Sequence, residues 1–126
     1  FDVHINNKKE TFKTKLLGEA NIYNILASIT LANYLGLNME ELKRGVFKIR
    51  PVEHRLELKS YGRINYIDDA YNSNPEGSKM AVEVLGLMPG KKIVITPGMI
   101  ELGPKQYEYN LLINKTLKVR IRNYSI

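Results

Sequence analysis

The first part of the chain shows two different hydrophobic periods. Residues 3–16 alternate hydrophobic and polar side chains around the polar stretch Asn6-Asn7-Lys8, which predicts a β-hairpin. Residues 21–35 follow helical spacing instead, and a glycine directly after them predicts where that helix ends. A second helix is predicted from Asn38 to about Phe47, because Asn38 can cap it and Glu41 falls three residues later, as in a capping box.

The second part predicts two strands and a helix. Residues 55–60 and 63–69 are typical of strands joined around a turn at Tyr61-Gly62. Asn74 can cap the helix that follows, and Pro75 suits its first position, where the missing N–H costs nothing. The expected buried face of this helix comprises Met80, Ala81, Val84, Leu85 and Met88.

A β-α-β unit is expected from Ile64 to Gly98, because residues 91–98 form a nearly continuous hydrophobic run like a strand covered on both faces. The fold class is therefore predicted to be α/β, with a domain boundary at Pro51, where the composition changes. Ligands of such sheets bind beyond the carboxyl ends of the strands, here at Asp68-Asp69 and at residues 96–98. Residues 116–126 alternate hydrophobic and basic side chains and predict an exposed edge strand.

The net charge of +6 does not by itself indicate a nucleic-acid surface. Four of the cations follow the last acidic residue, Glu108, and the other 15 nearly balance the 13 acidic residues. A surface that follows a phosphate backbone needs basic residues with aromatic ones between them. No hydrophobic run approaches the roughly 20 residues that span a bilayer. We therefore expect neither nucleic acid nor a membrane as a partner.

Candidate chemistry centres on the polar stretch after the second of these strands. Successive residues of a strand point to opposite faces, so only one of Asp68 and Asp69 can face a ligand. Asp69 is nearer the loop and is the candidate acceptor for ribose hydroxyls, unless both acids serve only the turn. Asn72 and Asn74 precede a helix N-terminus, which attracts anions, although Asn74 is fully explained as a cap. A cap explains neither Asn72 nor Tyr71.

Two further candidates lie outside that stretch. Asn21 and Asn24 stand three apart on one helix face, where two amides can pair with the edge of an adenine or act as a solvated cap pair. Arg55 could hold a phosphate or ribose oxygen, or form a surface ion pair. No metal site is expected, because His4 and His54 are the only histidines and cysteine is absent. The lack of cysteine also fits a reducing compartment, the cytoplasm.

Four segments occur in order along the chain: GEANIYNILASITLA (18–32), RPVEHRLEL (50–58), YIDDAYNSNP (66–75) and GMIELG (98–103). This succession resembles the Mur ligases of peptidoglycan synthesis, over about residues 18–110. The motifs are most similar to the branch that joins D-alanyl-D-alanine to a UDP-N-acetylmuramoyl-tripeptide. In the first segment, Ala20 stands where the family commonly has histidine.

The resemblance implies a three-domain ligase that uses ATP and Mg²⁺ to form an acyl phosphate, which the amine of the dipeptide then attacks. Residues 1–50 would be the end of the central ATP-binding domain, and residues 51–126 the start of a Rossmann-like C-terminal domain. Such a fragment would contain no catalytic residue and would lack activity alone. The implied ligand-binding residues are Asn21 and Asn24 near the adenine, Arg55 and Asp69 near the ribose and phosphates, and Tyr71, Asn72 and Asn74 toward the dipeptide.

Three alternatives remain open at the level of sequence. Another Mur ligase branch would add a single amino acid instead of the dipeptide. A non-catalytic basic module would bind through Lys91, Lys92 and the basic residues of the tail. A structural oligomer would pair through the predicted edge strand. The oligomeric state itself does not follow from the sequence.

Overall fold

The computed structural model describes residues 1–5, 7–71 and 74–121, which divide into two compact units, Phe1–Val52 and Glu53–Ile126. The first unit contains the strands β1 (Asp2–Ile5) and β2 (Lys8–Thr11) and the helices α1 (Glu19–Tyr34) and α2 (Met39–Lys48). β1 and β2 pair antiparallel. The predicted hairpin and both predicted helices are therefore present, although pairing stops at Thr11 instead of continuing to Leu16.

The core of the first unit forms where the two helices cover the hairpin. Its buried side chains are Phe12, Ile25, Ile29, Leu42 and Val46. Phe12 stacks on Phe1 with ring centroids 5.7 Å apart. At the start of α2 the predicted capping box is complete: Asn38 Oδ1 accepts from the Glu41 N–H at 3.1 Å, and Glu41 Oε2 accepts from the Asn38 N–H at 2.8 Å.

The second unit contains β3 (Glu57–Tyr61), β4 (Ile64–Asp68), α3 (Pro75–Leu87) and α4 (Gln106–Arg120), with a 3₁₀ turn directly before α4. β3 and β4 pair antiparallel around the predicted turn. α3 packs on α4 around buried Val82, Leu117 and Ile121. The predicted face of α3 is correct for buried Val84 and for half-buried Met80, Ala81, Leu85 and Met88. It omitted Val82, which is buried.

The strand predicted at residues 91–98 is absent from the described structure, so the expected β-α-β unit is wrong in its second strand. Residues 91–100 belong to no strand or helix, and Ile95 is 95% exposed. The hydrophobic pattern expresses a preference for burial. A strand forms only where a neighbouring strand supplies hydrogen-bonding partners, and the described strands pair only as β1 with β2 and β3 with β4.

The edge strand predicted at the tail is also wrong, because residues 116–120 belong to α4. Leu117 and Ile121 are 1% exposed, whereas Val119 between them is 78% exposed. Alternation and helical spacing both place residues four apart on one face, so the pattern could not distinguish them. Burial of Leu117 and Ile121 against α3 selects the helix. Residues 122–126 lie outside the described part of the chain, and within that part no helix is long and apolar enough to cross a bilayer.

Candidate functional site

The loop before β3 holds two non-glycine residues in the left-handed conformation. His54 has φ 61° and Leu56 has φ 49°, with Arg55 between them. For an L-residue this conformation costs roughly 1–2 kcal/mol. Such residues persist where the surrounding structure holds them, and they cluster at functional sites. We call residues 53–56 the Arg55 loop.

The end of β4 and the residues after it hold both left-handed residues. Asp68 Oδ2 accepts from His54 Nδ1 at 2.9 Å, and Asp69 Oδ1 accepts from the Leu56 N–H at 3.0 Å. The His54 carbonyl accepts from the Tyr71 N–H at 3.1 Å. The Leu56 side chain is buried, which fixes the far end of the loop. The conformation of the Arg55 loop is therefore imposed by the strand end beside it.

Asp68 forms an ion pair with Lys59 of its own hairpin. It lies directly across from Glu57, and Lys59 Nζ bridges the two carboxylates at 2.8 Å to Asp68 and 3.0 Å to Glu57. The hydrogen bond from Lys59, followed by that from His54, lowers the pKa of Asp68 below its ordinary value of 3.8. The hydrogen bond to Asp68, followed by that to Glu57, raises the pKa of Lys59. Asp68 is thus an ionised structural carboxylate.

Asp69 has a different environment. Burial raises the pKa of its carboxyl above the ordinary 3.8, and the charge of Asp68 adds to this, while the Leu56 N–H and the charge of Arg55 act in the opposite direction. Oδ1 is used by Leu56. Oδ2 makes no hydrogen bond to any described residue, so it can accept a hydroxyl from a ligand.

The Arg55 guanidinium lies over the Tyr71 ring, with its central carbon 4.3 Å from the ring centroid. This is cation–π geometry, which orients the guanidinium without using its N–H donors. Arg55 is exposed and has no carboxylate partner among the described residues, so the predicted alternative of a surface ion pair is not observed there. Its donors are available to an anion.

Asn74 caps α3, as predicted: its Oδ1 accepts from the Gly77 N–H at 2.8 Å. Asn72 lies outside the described residues. In the first unit, the Asn21 amide nitrogen donates to the Leu17 carbonyl at 2.7 Å, and Asn24 is exposed on the same helix. The structure thus brings Arg55, Asp69 and Tyr71 together, while the ligand roles predicted for all these residues stay predictions.

The sequence interpretation missed Asn110. Its Oδ1 accepts from the Met99 N–H, and its Nδ2 donates to the Met99 carbonyl, both at 2.8 Å. Nδ2 also donates to the Gln106 carbonyl at 2.8 Å. This amide therefore takes the place of a strand partner for the backbone of buried Met99, in residues 96–103, the Met99 loop. The signal available in the sequence was an amide side chain within the otherwise hydrophobic stretch YNLLI. In the structure this amide is half-buried.

Comparisons with known proteins decide the family. The chain is 35% identical over 118 residues to the UDP-N-acetylmuramoyl-tripeptide–D-alanyl-D-alanine ligase of Buchnera aphidicola from Acyrthosiphon pisum, covering 92% of this chain and 26% of the relative. The ligase of the same name from Bacillus subtilis is 32% identical over 102 residues, covering 79% and 22%. The chain belongs to the Mur ligase family.

The family identification made from the four motifs is thus confirmed, including its similarity to the D-alanyl-D-alanine branch. The chain spans about a quarter of the length of these relatives. A scan against models of protein families gives no match. The crystal structure of the Thermotoga maritima MurF ligase in complex with ADP superimposes with a TM-score of 0.83 at 23% identity, covering 98% of this chain and 28% of that one. This likeness confirms the predicted α/β fold.

Proposed function

We propose that this Mur ligase chain is a segment of a ligase that joins D-alanyl-D-alanine to a UDP-N-acetylmuramoyl-tripeptide, and that its second unit carries one side of the ATP site. The observation that carries the proposal is the pairing of Arg55 and Asp69. Among the described residues, the exposed Arg55 guanidinium has no carboxylate partner and Asp69 Oδ2 has no hydrogen-bond donor, while Asp69 Oδ1 accepts from the N–H of Leu56, the residue after Arg55. Phosphates and ribose hydroxyls need this combination of donors and an acceptor.

The two residues would act on different parts of the nucleotide. Asp69 Oδ2 would accept a hydrogen bond from a ribose hydroxyl, and Arg55 would donate to phosphate oxygens. The relative crystallised with ADP supports a nucleotide ligand. The activity of the whole ligase would be formation of an acyl phosphate on the tripeptide carboxylate, followed by attack of the dipeptide amine. We assign no covalent step to a residue of this chain.

The other predicted contacts belong to the same proposal. Asn21 and Asn24 would lie near the adenine, and Tyr71, Asn72 and Asn74 toward the dipeptide. Of these, Asn74 would contribute through its exposed amide nitrogen and the α3 N-terminus, because its oxygen already caps the helix. Residues 1–50 would be the end of the central domain and residues 51–126 the start of the C-terminal domain. We place the protein in the cytoplasm, in accord with its lack of cysteine.

Magnesium would be held by residues other than those described here. Mg²⁺ prefers carboxylate oxygens and water. Among the described residues no group of three or more potential metal ligands is found, and the facing carboxylates of Glu57 and Asp68 are bridged by Lys59. When bound with ATP, the ion would offset phosphate charge.

The test uses the full-length ligase that contains this chain. ATP hydrolysis should depend on both UDP-tripeptide and D-alanyl-D-alanine. Asp69→Asn keeps the acceptor for Leu56 but removes the charge, and loss of a charge-assisted hydrogen bond costs roughly 1.5–3 kcal/mol. The KM for ATP should therefore rise about ten- to a hundredfold.

Glu10→Gln is the matched control, because it removes a carboxylate charge paired with Lys43 in the first unit. Its KM for ATP should equal that of the unmodified enzyme. An Asp69→Asn enzyme with unchanged ATP dependence would reject the nucleotide assignment. Preference for a single amino acid over the dipeptide would reject the branch and favour the alternative Mur ligase activity.

A further inference from the structure

Asp68 is the acidic residue of the polar stretch that the proposed function leaves without a role. Its carboxylate contacts the ammonium group of Lys59 within the hairpin and the imidazole of His54 in the Arg55 loop. The Lys59 contact has a local explanation, since it separates the facing carboxylates of Asp68 and Glu57. The His54 contact has none in the hairpin, because His54 precedes β3 and is half exposed.

The two consecutive acids divide the Arg55 loop between them. Asp68 holds His54 through its imidazole, and Asp69 holds Leu56 through its backbone N–H. These are the two left-handed residues that flank Arg55. Adjacent residues at a strand end can do this because their side chains leave in opposite directions.

Tyr71 contacts both the backbone of the Arg55 loop and the side chain of Arg55. Its N–H donates to the His54 carbonyl, and its ring supports the Arg55 guanidinium. Residues 68–71 therefore contact the backbone on each side of Arg55 and the end of its side chain, and Glu57 Oε2 adds a longer contact at 3.4 Å from the His54 N–H. A long, flexible side chain that is fixed in advance loses less entropy when it binds an anion.

We propose that Asp68 and His54 are positioning residues, which hold Arg55 in its ligand-binding orientation through the left-handed backbone at His54. The inference rests on the proposed function in taking the ligand of Arg55 to be the nucleotide. Neither residue touches that ligand. The competing explanation is that Asp68 serves only the charge balance of the hairpin and that the conformation of His54 has no consequence for Arg55.

The first experiment needs no nucleotide and is done on the full-length ligase that contains this chain. Amide hydrogen exchange at Leu56 and Tyr71 reports whether the Arg55 loop is held. His54→Gly adopts the left-handed conformation freely but removes the imidazole, so exchange at both amides should rise by about fivefold or more. His54→Asn also tolerates this conformation and offers an amide N–H to Asp68, so it should restore part of the protection.

Lys59→Met is the matched control, because it breaks the hairpin ion pair and leaves the contact between His54 and Asp68. Its Leu56 and Tyr71 amides should exchange as in the unmodified chain. If His54→Gly leaves exchange unchanged, or if Lys59→Met raises it equally, the positioning role is overturned. In the second case the hairpin alone would order the loop.

The second experiment measures steady-state kinetics on the full-length ligase. His54→Gly should raise the KM for ATP about tenfold while kcat changes less than about twofold, since only ground-state positioning of Arg55 is lost. Faster exchange together with an unchanged KM would support a held Arg55 but show that its ligand is not the nucleotide. That result rejects the nucleotide assignment in the proposed function separately from the positioning role.

Discussion

The Arg55 loop and the Met99 loop both contain left-handed backbone that other side chains hold in place, but the chemistry of those side chains differs. Each contains non-glycine residues in the left-handed conformation: His54 and Leu56 in the first, and Glu101, with φ 63°, in the second. Carboxylates hold the Arg55 loop. The neutral amide of Asn110 holds the Met99 loop by both accepting from and donating to the Met99 backbone.

The two loops differ in the burial and the charge of the groups that hold them, and therefore in their capacity to bind a ligand. Asn110 binds the backbone of a residue that is 3% exposed, so the Met99 loop is tied into the core and carries no charge at its brace. The Arg55 loop is partly open to solvent, and between its two carboxylate braces lies a guanidinium that has no carboxylate partner in the described part of the chain. Removing the amide should therefore cost stability, whereas neutralising a carboxylate should mainly change binding.

The largest effect is expected for Asn110→Ala. This substitution leaves the N–H and carbonyl of buried Met99 without their partners, and an unsatisfied buried group costs about 1–3 kcal/mol. We expect the free energy of unfolding to fall by roughly 2–4 kcal/mol in urea titrations. The free energy of unfolding of Asn110→Asp should lie between those of Asn110→Ala and the unmodified protein, because aspartate keeps the acceptor and loses the donors. A loss of unfolding free energy under about 0.5 kcal/mol for Asn110→Ala would show that Asn110 does not hold the Met99 loop.

Gly98→Ala should have the next largest effect. Gly98 has φ 80°, and an added Cβ would lie 2.9 Å from Asn110 Oδ1. Strain alone costs roughly 1–2 kcal/mol, and displacement of the Asn110 amide adds to it. In the Asn110→Ala background the contact is gone, so the cost should fall to the strain term. Equal costs in both backgrounds, measured by a double-mutant cycle, would contradict this contact.

Asn74→Ala provides a benchmark of ordinary local stabilisation. It removes the hydrogen bond to the Gly77 N–H, which should lower the free energy of unfolding by about 1 kcal/mol. Urea titration measures this. If the α3 N-terminus faces the dipeptide, the KM for D-alanyl-D-alanine in the full-length ligase should also rise. Asn74→Asp should retain the cap and stability, and a loss as large as that for alanine would contradict a pure capping effect.

The smallest effect on stability is expected for Asp69→Asn, which keeps the acceptor for Leu56. The raised pKa of Asp69 means that its ionisation disfavours the folded state. Its contribution to stability is full below its ordinary value of 3.8 and is lost as pH rises through the higher folded pKa. Asp68 behaves oppositely, because its pKa is lowered: its contribution is present above 3.8 and is lost as pH falls below that value.

Chemical-shift titration of two amides separates these cases. The Leu56 N–H should titrate with a midpoint above 3.8, because it reports Asp69, and the Met99 N–H should not follow a carboxylate. In Asp69→Asn the Leu56 titration should disappear while the free energy of unfolding at pH 7 changes by less than about 0.5 kcal/mol. A Leu56 midpoint below 3.8 would show that hydrogen bonding outweighs burial at Asp69.

The elements that depend on neighbouring residues could be predicted from the sequence alone. The capping box of Asn38 and Glu41, the cap at Asn74 and the turn near Gly62 each depend on residues within a few positions, so their hydrogen bonds could be read from spacing. The ordered motifs also identified the Mur ligase family before any coordinates.

The features that depend on contacts between residues far apart in sequence became visible only in the folded structure. Residues 91–98 have a strand-like pattern, but none of the described strands pairs with them. Residues 116–120 form a helix because Leu117 packs against α3. The division of work between Asp68 and Asp69, and the brace formed by Asn110, join groups 11 to 14 residues apart in sequence. Spacing carries no information about such contacts, because they form only when folding brings separate elements together.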